Sequence, residues 1–231
     1  TTRRAARIVT IYDLDFLDHP ERTVREIRRD YGPLVADHAR RADQVIVISR
    51  HTAAAVEHRL GVPAGRISIC TPGAPAWRPR EAEPASGGSI LFLGTLEPRK
   101  NLDVLVDAYA RLIAHRPDAP QLVLAGQISE AAAALVDRVK QPPLAGRVKL
   151  PGYVQPETRE ALFRNALVFV LPSHTEGFGL PAVEALRVGV PVIASKRGAL
   201  PESVGPGGIL LDPMDPEHLC AAMEQLLSDA A

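Results

Sequence analysis

The sequence is poor in cysteine, in aromatic residues and in net charge. Two cysteines, Cys70 and Cys220, stand in 231 residues. They form no metal-type spacing, and a disulfide framework is not expected, which suits a reducing compartment. Aromatic residues make up 4%, so a core must be built from Leu, Val, Ile and Ala. Lys and Arg number 27, and so do Asp and Glu. Such a balance gives no global attraction for nucleic acid or an anionic membrane, and any anion site must be local. No apolar run approaches the roughly 20 residues that span a bilayer. The first residues do not read as a signal peptide. The chain opens on Thr1, already close to a strand, and is expected to be a fragment of a longer gene product.

What is present is 46% hydrophobic residues, enough for one large α/β domain or two modest ones. Short apolar runs at 7–11, 44–48 and 66–70 read as buried strands. Residues 21–41 carry apolar positions at helical spacing, with Gly32-Pro33 expected to break the segment into two pieces. Ser49 is placed to cap a helix over 51–60, which Gly61 and Pro63 would end. Residues 71–89 are dense in Pro, Gly and small side chains, without period, and read as a linker. Beyond it, strands are expected at 89–93, 121–125, 147–150, 167–171, 190–194 and 208–211. Helices are expected at 101–115, 129–140, 156–164, 180–188 and 215–228, with a short one near 199–204. This alternation implies a parallel sheet covered on both faces, with ligands at the C-terminal ends of its strands. The division into domains is set at 1–80 and 81–231.

The unusual loops fall at those strand ends. In Gly94-Thr95-Leu96-Glu97-Pro98-Arg99-Lys100-Asn101, two cations precede a helix N-terminus, where unpaired N–H groups and the helix dipole favour an anion. A diphosphate clamp fits. From charge alone, a solvated loop with two surface cations is the plainer reading. The segment Pro172-Ser173-His174-Thr175-Glu176-Gly177-Phe178-Gly179-Leu180-Pro181 runs on to Glu184. Its glycines allow close backbone approach, Pro181 suits a first helical turn, and Glu176 and Glu184 could accept from sugar and ribose hydroxyls. A capped helix with two exposed glutamates explains the pattern equally well.

Gly177, Gly179 and Ala182 also spell G-x-G-x-x-A. A dinucleotide fingerprint is rejected, because that loop belongs to the first βα turn of its sheet and this one is the fourth. Asp13-Leu14-Asp15 is a lone D-x-D, for which a loop or capping role is preferred over a metal.

On these loops the chain resembles the retaining glycosyltransferases of the GT-B fold, glycosyltransferase family 4. GTLEPRKNLDVLVDAYARL is similar to the phosphate-clamp segment of mannosyltransferase-like members. RVKLPGYVQ, 147–155, resembles the base-binding segment. LPSHTEGFGLPAVEALRVGVP carries the E-x7-E pattern from Glu176 to Glu184, the most specific part of the match.

The resemblance implies two Rossmann-like domains with parallel sheets, the N-terminal one incomplete. It implies that Lys100 binds phosphate with Arg99 beside it, in a loop opened by Gly94 and Thr95. Thr95 stands where many relatives place an arginine. Glu184 would hold the ribose, and Glu176 the donor sugar. The backbone of Phe178, Gly179 and Leu180 would meet sugar and diphosphate, and the base would lie near Gly152, Tyr153 and Val154. Residues 7–20 resemble a segment that carries a His-Asp pair in many relatives, and here Tyr12 precedes Asp13. His19 and His174 read as loop residues.

The implied activity is transfer of a hexosyl group, with a mannosyl group in polysaccharide biosynthesis as one candidate, from a nucleotide-diphosphate sugar to a glycan or lipid-linked acceptor. No metal or other cofactor and no nucleic acid partner are expected. A cytoplasmic location is expected, with the inner face of the membrane as one candidate place. Weak peripheral membrane association is left open by the basic helix, although its interleaved Arg, Glu and Asp favour a solvated face. The alternatives are a non-catalytic nucleotide-sugar-binding module and another GT-B chemistry such as epimerisation.

Overall fold

The computed structural model describes residues 5–22, 27–82, 84, 87–212 and 214–229. The chain divides into two compact units, Thr1–Gly73 with Thr175–Phe178, and Ala74–His174 with Gly179–Ala231.

The first unit holds three parallel strands, β1 (Ile8–Ile11), β2 (Gln44–Val47) and β3 (Ile67–Ile69), in that order. Ile8 faces Gln44 and Val45 faces Ile67 in register. A short α1 (Asp15–Asp18) and then α2 (Gly32–Arg41) lie between β1 and β2, and α3 (Arg50–Leu60) between β2 and β3. Ile11, Leu14, Ala39, Val45, Val47, Val56 and Val62 form its core. The expected caps of α3 are in place. Ser49 Oγ accepts from the Thr52 N–H at 3.0 Å, and Gly61 ends the helix in the left-handed region at φ 64.

Gly32-Pro33 does not split a helix in two. A single π turn over Ile27–Tyr31 runs straight into α2, and Pro33 occupies the first helical turn, where its missing N–H costs no bond. The expected start of that helix, residues 23–26, lies outside the described residues. Asp37 pairs with Arg41 at 3.0 Å and with Arg40 at 3.6 Å, the ion-paired face that the interleaved charges suggested.

The second unit is a six-stranded sheet in the order β6-β5-β4-β7-β8-β9. Its strands are β4 (Ser89–Leu93), β5 (Gln121–Ala125), β6 (Val148–Gly152), β7 (Ala166–Leu171), β8 (Val192–Ser195) and β9 (Gly208–Leu211). Every pairing is parallel. The intervening helices are α4 (Leu102–His115), α5 (Ala133–Val139), α6 (Pro156–Arg164), α7 (Leu180–Val188) and α8 (Leu200–Val204), and α9 (Pro216–Asp229) follows β9. The central strand β4 is buried from end to end, as a strand covered on both faces must be. Strand β6 runs two residues past its expected end. As the outermost strand it tolerates Pro151, which cannot donate to a ladder.

The segment 71–82 has no helix or strand, yet its second half is not a free linker. Trp77 stacks on Phe163 with ring centroids 5.8 Å apart. Arg80 donates its backbone N–H to Val188 O at 2.8 Å and Nη1 to Ala166 O at 2.5 Å. These anchors draw the start of the second unit back to Ala74, ahead of the division expected after residue 80.

Candidate functional site

Strands β4 and β7 are neighbours, and from them the sheet is built outward in opposite directions. Chain leaving the C-terminal end of β4 therefore turns one way and chain leaving β7 the other. The crevice between such loops is where open α/β sheets bind ligands.

After β4 the chain passes Gly94 and Thr95 into a 3-10 turn over Pro98–Lys100. Asn101 follows in the left-handed region at φ 54, which Asn tolerates better than other side chains. The two loops are tied together. Asn101 Nδ2 donates to Pro172 O at 3.2 Å, and the His174 N–H donates to Arg99 O at 2.9 Å.

Lys100 is only 9% exposed, which disposes of the reading as a solvated surface cation. A Cβ on Gly94 would stand 3.7 Å from Lys100 Cε and 3.3 Å from Phe92 Cζ, so the lysine stem lies over Gly94. Arg99 is less committed to an incoming anion. Its Nε and Nη2 both donate to Glu97 Oε1, at 3.2 and 3.1 Å. Thr95 is exposed.

Gly126, which the sequence shows only as the glycine of a short Gly-Gln loop after a strand, lies directly beneath Gly94. Gly126 follows β5, and a Cβ there would fall 1.9 Å from Gly94 O. Its N–H donates to Gly152 O at 2.8 Å, and the Gly94 N–H to Ala125 O at 2.9 Å. Three adjacent strand ends thus carry Gly94, Gly126 and Gly152 in one hydrogen-bonded row. The signal in the sequence was a glycine directly after a buried strand. Gly152 adopts φ 74 and turns the chain into Tyr153, which is 71% exposed, and the half-buried Val154.

On the β7 side, Gly179 is the N-cap of α7, at φ 87. The conformation favours glycine, and a Cβ there would also have to displace Leu200 Cδ2, 2.5 Å away. Leu180 opens the helix, exposed, with Pro181 in its first turn. Ser173 is buried, and its carbonyl accepts from Ser195 Oγ at 2.5 Å.

Glu184 stands in the second turn of α7 with its side chain 12% exposed. Burial pushes its carboxyl above the usual carboxylate range. A hydrogen bond from Arg159 of α6 and the charge of that residue oppose the shift. Arg159, a residue missed in the sequence, reaches Glu184 Oε2 with Nε at 3.0 Å and with Nη2. The two-exposed-glutamates reading fails, since Glu176 is also buried, at 7%.

Glu176 and the buried Phe178 pack with the first unit. There a Cβ on Gly177 would sit 2.4 Å from Tyr12 O. Thr52 Oγ1 lies 3.2 Å from Tyr12 O and 3.5 Å from Gly177 O, in position to donate to either. Tyr12 is 66% exposed, and with Asp13, Phe16, Tyr31 and His38 it lines a cavity of about 380 Å³. Asp13 Oδ1 accepts from the Asp15 N–H at 3.2 Å, the local turn role expected for the D-x-D. His19 pairs with Glu21 at 3.1 Å, and His174 is exposed.

Among the described residues one group of potential metal ligands lies elsewhere. His115, Cys220 and Glu224 bring ligand atoms within 4.8 Å of one another. His115 ends α4, so this group is a helix length from Lys100. Also among the described residues, no helix is long and apolar enough to cross a membrane.

A doubly wound parallel sheet, with a lysine loop beside a row of glycines and a glycine-capped helix at its switch point, is the architecture of one half of a GT-B fold. The chain belongs to the family described as Glycosyl transferases group 1, whose model matches residues 74–231. It is 30% identical over 233 residues to the O-antigen chain mannosyltransferase B of Escherichia coli, covering 96% of this chain and 61% of that one. Among solved structures, sucrose-phosphate synthase from Thermosynechococcus elongatus superposes with TM-score 0.78 at 28% identity, over 96% of this chain and 59% of that one. Anabaena HepE in complex with UDP-glucose superposes with TM-score 0.77 at 21% identity, over 98% and 64%. The chain therefore spans about three fifths of the length of these three proteins.

Proposed function

We propose that this chain is the donor-binding part, with a portion of the acceptor side, of a retaining glycosyltransferase of family 4. It would transfer a hexosyl group, mannosyl by its likeness to the O-antigen enzyme, from a nucleotide-diphosphate sugar to a glycan or lipid-linked acceptor. The observation that carries the reading is the nearly buried Lys100 at the end of β4, hydrogen-bonded through its loop to the segment that leads into α7.

The chemistry follows from where charge grows. As the bond from sugar to diphosphate breaks, negative charge gathers on phosphate oxygens and the sugar becomes oxocarbenium-like. Lys100 supplies a fixed positive charge of low solvation. The N–H groups at the start of α7 add donors and the positive end of the helix dipole. Arg99 contributes once it exchanges Glu97 for phosphate. These groups neutralise the diphosphate without a metal. Glu184 accepts from the ribose, Glu176 from the sugar, and Gly152, Tyr153 and Val154 frame the base. A phosphate oxygen of the leaving group takes the acceptor's proton, so attack comes from the face that the nucleotide leaves.

A nucleotide-sugar-binding module without turnover is the second reading, favoured by Tyr12 at the position where the resemblance places a histidine. A thermal-shift panel of GDP-, UDP- and ADP-sugars tests the first step, because a ligand of the folded state raises its apparent stability. Turnover of the stabilising donor separates the two readings. No stabilisation by any of them would remove both.

A further inference from the structure

Resting on that assignment of Glu184 to the ribose, we infer that Arg159 is the positioning residue of the ribose site, fixing one oxygen of the Glu184 carboxylate so that the other reads the donor's hydroxyls. Both Arg159 hydrogen bonds end on the same atom, Oε2. Among the described residues no donor reaches Oε1. Yet Oε1 is not sealed in, for it is not among the fully buried side-chain oxygens left without a hydrogen bond. The carboxylate is thus held from one side and open on the other. With 12% of the side chain exposed, the opening suits a hydroxyl group more than a full hydration shell.

The fixing matters because burial favours the neutral acid, and Arg159 is the group that opposes it. A neutral carboxyl could present a donor where the ribose offers one, and discrimination would fall. An ionised one only accepts, so a hydroxyl is rewarded and its absence leaves a buried acceptor unpaired. Arg159 also sits on α6, whose first residue, Pro156, follows Tyr153 by three positions. One short helix therefore joins the segment assigned to the base and the acid assigned to the ribose. The arrangement makes the site selective for ribonucleoside over 2′-deoxyribonucleoside diphosphates, with Arg159 as the residue on which that selectivity depends.

The test measures dissociation constants of GDP, UDP and ADP and of their 2′-deoxy counterparts. It uses wild type, Glu184→Ala, Arg159→Ala and Arg159→Lys, each checked for an unchanged circular dichroism spectrum. Wild type should prefer the ribose form by about tenfold or more, the size of one charge-assisted hydrogen bond. Glu184→Ala and Arg159→Ala should both lose that preference, and Arg159→Lys should regain part of it, which a merely structural role would not produce. If Arg159→Ala discriminates as well as wild type while Glu184→Ala does not, the positioning role is wrong and the ribose assignment stands. If Glu184→Ala still discriminates, or wild type binds none of the six nucleotides, the ribose assignment itself fails and takes this inference with it.

Discussion

Asn101 Nδ2 donates to the carbonyl of Pro172 at 3.2 Å while its own backbone sits at φ 54. The residue does two jobs, accepting a left-handed conformation and tying the β4 loop to the β7 loop. The jobs separate by substitution. Asn101→Gly keeps the conformation and loses the tie, and Asn101→Ala loses both. Denaturant midpoints should place Asn101→Ala about 1 kcal/mol below Asn101→Gly, the cost of left-handed backbone for a residue with a Cβ. Both variants should weaken nucleotide binding, since each frees the loop that carries Lys100. Equal stabilities would mean that the conformation carries no strain.

Gly126 makes a sharper case. Its missing Cβ would lie 1.9 Å from Gly94 O, a backbone atom that cannot rotate away. Gly126→Ala must push β4 and β5 apart at their ends or displace the Gly94 loop. Unfolding curves should show a loss of at least about 2 kcal/mol, and any protein that still folds should bind donor poorly. Alanine tolerated with full nucleotide affinity would show that this row of glycines is not the floor of the site.

How far the sequence could be read depended on whether a feature was local. The strands and the order of helices among the described residues follow from apolar runs and their punctuation, and the caps Ser49 and Gly61 from residue type alone. The loop that carries Lys100 and the start of α7 were legible as strand-to-helix turns for the same reason: each is one continuous stretch with a distinctive composition. Partners contributed from elsewhere in the chain were not. Arg159 is 25 positions from Glu184 and looks like any helical arginine until the fold brings it there. Glu97 was visible beside Arg99, yet nothing in the sequence says that the guanidinium turns back to it. Gly32-Pro33 carried a breaking signal, yet what changes there is only the winding, because the π turn before it hands over to α2 without a gap. The packing of Thr175–Phe178 with the first unit depends on Gly177 meeting the Tyr12 carbonyl, a contact across 165 positions.

The linker offers a prediction about domain limits. Composition puts the division after residue 80, but Trp77 and Arg80 are fastened to the second unit. A fragment 74–231 should unfold cooperatively. A fragment 81–231 loses the Trp77–Phe163 stack and both Arg80 hydrogen bonds, and should be less stable by about 3 kcal/mol or more. Within the whole chain, Trp77→Ala should reproduce most of that loss. Calorimetry on the three proteins decides, and equal melting temperatures would return the division to residue 80.

The last prediction concerns pH. The Glu184 carboxyl is held above the usual carboxylate range by burial, with Arg159 opposing. In the unfolded chain it titrates at the ordinary value, about 4.3. Between that value and the raised one, the folded state binds more proton than the unfolded state, so this group makes stability fall as pH rises through the window. Its favourable contribution is complete below the ordinary range and is lost by the time pH has passed the folded pKa. Glu184→Gln removes the titration. Relative to wild type, the Gln variant should therefore gain stability steadily across the mildly acidic window and hold a constant offset above it. Arg159→Ala should widen the window upward, because the opposing charge is gone. Urea unfolding of the three proteins from below pH 4 to pH 8 provides the measurement. A difference between wild type and Glu184→Gln that does not change with pH would show that Glu184 is solvated like a surface carboxylate, and that Arg159 has nothing to oppose.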